Sequence, residues 1–179
     1  MLMNAPQFIP ILAAIVAVCA AVTDLDAHRI PNRLTYTAML IGLTVQTVLH
    51  GRGGLGTSVL GGLFFGGVFF LFYLVRAMGA GDVKLAAAIG CIVGLKAVVP
   101  VLFATALAGG ALAVVYMALS GRVVETLRNT LAVVAFHGQH GLHTHPTINL
   151  ENPTSARMPY GLAFAAGTVY WALSTRFWS

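Results

Sequence analysis

Six apolar stretches, at residues 8–23, 34–48, 55–75, 83–95, 97–119 and 158–173, leave this chain little with which to build a water-facing surface. Of its 179 residues 58% are hydrophobic and 8% are charged, whereas a soluble domain carries roughly 25% charged residues. A helix needs about 20 residues to cross the hydrocarbon of a bilayer. The length therefore suits one all-α, polytopic transmembrane bundle of about six spans covering residues 1–179. No room remains for a separate soluble domain of ordinary size. The stretches at 55–75 and 97–119 are long enough to span unaided, and those at 8–23 and 34–48 draw on flanking residues. The fourth and fifth form one run broken by Gly94, Lys96 and Pro100. That interruption predicts a helical hairpin, with a re-entrant segment as the alternative. The opening MLMNAPQF has no basic region ahead of its apolar run, so the first stretch is read as a retained span.

The net charge of +5 does not mark a nucleic-acid partner, because the basic residues stand singly at the ends of apolar stretches. There they orient membrane helices. With the N-terminus outside and six spans threaded, the inner side holds seven cations: Arg29, Arg33, Arg76, Lys84, Arg122, Arg128 and Arg157. The outer side holds three, Arg52, Lys96 and Arg176. The excess favours this orientation, since cytoplasmic loops collect Lys and Arg. All the acids, Asp24, Asp26, Asp82, Glu125 and Glu151, then also fall on the cytoplasmic side, although the orientation rule made no use of them.

The long connection at 120–157 begins with Val123, Val124, Leu127, Leu131 and Val134 at helical spacing, which suits an amphipathic helix on the inner membrane surface. Its second half is polar and turn-rich. Four histidines there, His137, His140, His143 and His145, offer metal ligands, but their spacing suits a flexible tract, and no metal site is assigned. Cys19 and Cys91 lie singly inside apolar stretches, which excludes a cysteine zinc site and fits buried small hydrophobes.

Two segments break the apolar pattern with acids. One is TDLDAHRIPNRLT, residues 23–35, and the other is GAGDVKLAAAIG, residues 79–90. Both fall on the same side in the threading above. Two carboxylates from separate loops on one face can meet over a peptide bond. One, ionised, takes a proton from the attacking water, and the other, protonated, donates to the carbonyl oxygen and then helps the amine leave. Held close together, they share one proton because both cannot ionise cheaply.

Each acid also has a plainer reading. Asp82 is placed to cap the helix that follows Gly81. Asp24 ends the first span, where the helix dipole disfavours a negative charge, yet a frayed helix end would leave it an ordinary solvated residue. Asp26 reads as a solvated partner of Arg29 or His28. Gly79 and Gly81 permit close approach of an extended substrate, or form only a flexible turn. The fourth stretch is 13 residues long, or about 20 Å as a helix, against a hydrocarbon thickness of about 30 Å. A helix that short, ending near the outer surface, places Asp82 in a recess below the inner one.

Together the two segments resemble the type IV prepilin peptidase family, polytopic aspartic peptidases with one Asp at a helix end and a second in a GxGD motif. Asp24 is followed, after the family's spacing, by Ile30–Pro31–Asn32, so Asp24 and not Asp26 matches the first catalytic acid. Gly79–Ala80–Gly81–Asp82, continued by Val83–Lys84–Leu85, matches the second motif. Met158–Pro159–Tyr160–Gly161 is similar to the entry of the family's last helix. The resemblance implies catalytic Asp24 and Asp82, with Gly79, Gly81, Lys84 and Pro31 as substrate-binding or supporting motif residues. It also implies removal, after a Gly, of the short basic leader of a prepilin or pseudopilin at the cytoplasmic face of the inner membrane. No cofactor is implied. The chain lacks the large insertion with paired CxxC motifs of long members, so it looks like the short form of tight-adherence pilus systems, and no methyl-donor site is read from it. Between spans, the small residues of LGGLFFGGVFF at 60–70 suit helix packing inside the bundle, with a groove for the substrate helix as the alternative.

Two other classes compete. Intramembrane acids also serve ion or proton transport, but Asp24 and Asp82 lie at span ends and no inverted repeat is visible. A non-catalytic assembly partner of a secretion complex would use the 120–157 helix and tolerate loss of either aspartate.

Overall fold

The computed structural model describes residues 5–27, 29–121, 128 and 160–177, which form helices joined by short connections at 29–31 and 75–79. The amphipathic helix and histidine tract expected within 120–157 lie outside the described residues, Arg128 excepted. Helix α1 runs Ala5–Ala27, α2 Asn32–Leu74, α3 Ala80–Ser120 and α4 Tyr160–Phe177. The first three are long and apolar enough to cross a membrane.

Neither α2 nor α3 is straight. Each contains a glycine with positive φ and extended ψ, Gly51 at 62° and −147° and Gly94 at 73° and 169°, a region open essentially to glycine and costing other residues about 1–3 kcal/mol. In an unbroken α2, Gly42 and Gly62 would stand about 30 Å apart. Instead, a Cβ on Gly42 would lie 2.9 Å from the Cys91 backbone, while one on Gly62 would strike the Cys91 sulfur. The two limbs of α2 therefore fold back at Gly51 and sandwich one stretch of α3.

Helix α3 turns back in the same way. As one straight helix it would carry Gly109 about 40 Å from Asp82. Gly109 instead faces Ala163, two residues along α4 from Gly161, which binds Asp24, and the charge of Asp24 reaches Asp82. The expected hairpin within 83–119 is thus present, with its corner at Gly94. Lys96 and Pro100 fall inside the second limb.

Breaking a helix strands carbonyl groups, and each one left buried without a partner costs about 1–3 kcal/mol. Two buried side chains of α2 serve those at the Gly94 corner. Gln46 Nε2 donates to the Ile92 carbonyl at 2.7 Å, and Ser58 Oγ donates to the Cys91 carbonyl at 2.6 Å. One comes from each limb, so the Gly51 hairpin caps the first limb of α3.

The limbs pack through small residues. A Cβ on Gly61 would lie 2.5 Å from the Gly90 carbonyl oxygen, and one on Gly66 would lie 2.9 Å from Ala87 Cβ. Gly61, Gly62 and Gly66 are therefore taken up by contact with α3, the packing inside the bundle that this run was expected to serve, and the alternative of a substrate groove at these three glycines falls away. Below them Phe65 and Phe69 of α2 meet Phe164 of α4, with ring centroids 6.0 and 4.9 Å away. The outward face is the reverse of a soluble protein's: Val48, Leu107 and Leu119 are 77%, 75% and 84% exposed. A continuous apolar exterior of this kind needs lipid rather than water around it.

Candidate active site

One end of the bundle gathers the last turn of α1 and the first turns of α2, α3 and α4. The helix edges differ there from the sequence reading. Helix α1 continues through Asp24 and Asp26 to Ala27, and α3 starts at Ala80, so Asp82 is the third residue of its helix with Gly79 in the capping position. Asp82 nevertheless helps close the helix end, since its Oδ2 accepts the Gly79 N–H at 3.2 Å.

Asp24 and Asp82 are only 8% and 9% exposed, which sets aside the picture of Asp24 as a solvated residue at a frayed end. Asp26 is exposed. Asp24 Oδ2 accepts the backbone N–H of Gly161 at 2.9 Å. That N–H belongs to the first turn of α4, where helix amides have no partner of their own and the dipole favours an anion. Asp24 is thereby compensated at the end of its own helix by the start of another. The Asp24 and Asp82 carboxylates lie near enough for the charge of one to act on the other, and Tyr160, next to Gly161, is within electrostatic reach of Asp82. Among the described residues both carboxylates are anchored through Oδ2, Asp24 by the Gly161 N–H and Asp82 by the Gly79 N–H.

The remaining motif residues form the surrounding frame. Gly81 packs under Ile30, where a Cβ would come to 3.3 Å from Ile30 Cβ. Pro31, exposed, is the capping residue of α2, and its carbonyl accepts the N–H groups of Leu34 and Thr35 at 3.1 and 3.3 Å. Lys84 does not reach the aspartates. Its Nζ donates to Asn32 Oδ1 at 2.8 Å and stands 5.5 Å from the centroid of the Tyr36 ring. Sequence reasoning did not place Asn32, Tyr36, Tyr160 or Gly161 among the site residues. Gly161 carried a usable signal, a glycine just past Pro159 at the start of an apolar stretch. Among the described residues no group of three or more His, Cys, Asp or Glu gathers to hold a metal ion.

Helical fold and site together define a membrane protein built around a buried pair of carboxylates. Residues 11–114 match the model of the type IV leader peptidase family. The chain belongs to that family and is a leader-peptidase-like protease. The matched region takes in both acidic segments and ends before 120–157 and α4. Comparison with curated proteins and with solved structures returned no match.

Proposed function

We propose that this protein is an aspartic endopeptidase of the inner membrane, with Asp24 and Asp82 as its catalytic pair, that removes the leader peptide from prepilins or pseudopilins at the cytoplasmic face. The observation that carries this reading is the convergence of two buried carboxylates from separate elements, each anchored through Oδ2 by a backbone N–H. Such a pair holds one proton between its members. The ionised member removes a proton from water, and the protonated one donates to the scissile carbonyl. As the amine leaves, the proton taken from water is returned to it.

The threading fits this chemistry. Six helical limbs, counted by dividing α2 at Gly51 and α3 at Gly94, cross the membrane with the N-terminus outside. The whole chain is one membrane-embedded domain whose 120–157 connection lies in the cytoplasm. The substrate's basic leader stays in the cytoplasm while its apolar helix lies in lipid, so the scissile bond sits at the boundary where the aspartates lie. Gly79 leaves room beside the Asp82 carboxylate, Gly81 makes room for Ile30, and Pro31 and Lys84 belong to the frame. A transporter reading is weaker, because the two acids lie at helix ends.

The test is cleavage of a co-expressed prepilin in membranes by wild type, Asp24→Asn and Asp82→Asn. Each substitution keeps shape but removes proton transfer, and each is expected to lower cleavage at least about 100-fold while the protein still accumulates. Continued cleavage by both variants would reject the aspartic mechanism and bring the transporter and assembly readings forward.

A further inference from the structure

Between Asp24 and Asp82 the chain makes two full helical limbs, so covalent connectivity does not set their separation. Noncovalent contacts must hold the two carboxylates in register. Helix α4 supplies one tie, through Gly161 to Asp24 and through Tyr160 beside Asp82; a second, independent of α4, runs from the last turn of α1 along the chain to Asn32, across to Lys84, and back two residues to Asp82. It is closed by two contacts. Ile30, buried, lies on Gly81, and the Lys84 ammonium is held by Asn32 Oδ1 at 2.8 Å with the Tyr36 ring beside it.

Resting on the protease reading above, we infer that Lys84, Asn32 and Tyr36 form a clasp that positions Asp82 against Asp24, and that Lys84 is a positioning residue and not a substrate contact. An exposed lysine normally samples many rotamers, and ordering it costs entropy. Here one ammonium is satisfied by a charge-assisted hydrogen bond and by the face of an aromatic ring. Both partners belong to the first two turns of α2, whose start is tied by the short 28–31 connection to the helix carrying Asp24. Releasing the ammonium frees the first turn of α3 to shift relative to α1. Carboxylates that must share a proton and flank one water tolerate little displacement, and an error of about 1 Å can cost about 100-fold in rate.

The experiment uses the full chain purified in detergent. Its probe is a synthetic peptide with a short basic leader ending in Gly, followed by an apolar helix of about 20 residues. For wild type, Lys84→Met, Lys84→Arg, Asn32→Leu and the Lys84→Met/Asn32→Leu double variant, kcat and KM are measured separately and normalised to folded protein. Lys84→Met and Asn32→Leu are each expected to lower kcat about 10- to 100-fold with KM little changed. The double variant should fall no further than the worse single one, and Lys84→Arg should recover part of the rate. If Lys84→Met does not accumulate, Asn32→Leu, altered at an exposed position, tests the same contact alone. A raised KM with kcat intact in Lys84→Met, beside wild-type behaviour of Asn32→Leu, makes Lys84 a substrate contact and overturns the inference. Fully additive losses overturn it as well. Asp24→Asn and Asp82→Asn run in parallel separate the two levels. If they still cleave, the protease reading falls; if they are inactive while Lys84→Met matches wild type, only the clasp does.

Discussion

The backbone N–H of Gly161 donates to Asp24 Oδ2 at 2.9 Å, joining residues 137 positions apart in sequence. A side chain at 161 has no space, because its Cβ would lie 2.9 Å from Asp24 Cβ and 3.0 Å from Oδ2. Helix α4 thus lies directly against one of the two acids. Gly161→Ala is expected to slow prepilin cleavage about tenfold by displacing Asp24, and Gly161→Val more. Initial rates normalised to membrane-inserted protein check this, and a wild-type rate in the Ala variant would show that the close contact is dispensable.

The glycines of the 60–70 run divide into two kinds. Gly61 faces the Gly90 carbonyl, whereas among the described residues Gly67 has nothing within 4 Å of its would-be Cβ. Gly61→Ala should lower the thermal transition in detergent and reduce yield, since backbone rather than a flexible side chain blocks the methyl. Gly67→Ala should leave the transition unchanged or raise it by the equivalent of about 0.5–1 kcal/mol, the gain from replacing Gly within a helix. Equal behaviour of the two variants would contradict the packing of α2 on α3.

At the Gly94 corner, Gln46→Leu removes the donor to the Ile92 carbonyl and Ser58→Ala the donor to the Cys91 carbonyl. Each carbonyl then loses the partner that satisfies it, at a cost of about 1–3 kcal/mol. Thermal unfolding in detergent should show a loss for each. The double variant should lose more than either alone, because the two bonds serve different carbonyls.

Thr105 and Thr168 are buried, and among the described residues neither hydroxyl has a hydrogen-bond partner. Valine has nearly the same shape without the polar atom. Thr105→Val and Thr168→Val are therefore expected to be neutral or to stabilise by about 1 kcal/mol, read from the same thermal transition. A clear loss in either would reveal a partner for that hydroxyl.

The amino-acid sequence by itself determined the helical, membrane-bound character of this protein and the two segments that carry the acids. Lipid as a solvent forces backbone hydrogen bonds to close within each segment, so long apolar stretches with sparse charges admit few folds. The corner at Gly94 was legible for a similar local reason, a glycine with a lysine and a proline close behind it in an otherwise unbroken apolar run. The glycines of 60–70 were legible only in part, because a small residue permits close approach without saying what approaches: packing inside the bundle was expected, and the structure names α3 as the partner.

Only the tertiary structure decided what surrounds the acids. Local sequence left Asp24 open to solvation and Asp82 open to a purely capping role, since each reading depended on neighbours far along the chain. Burial of Asp24 depends on α4, the Asn32–Lys84 bond on the meeting of two helix starts, and the partners of the Ile92 and Cys91 carbonyls on both limbs of α2. These are contacts between elements. Their partners are chosen by how helices fit together in space, and hydropathy and spacing along a single segment carry no record of that choice.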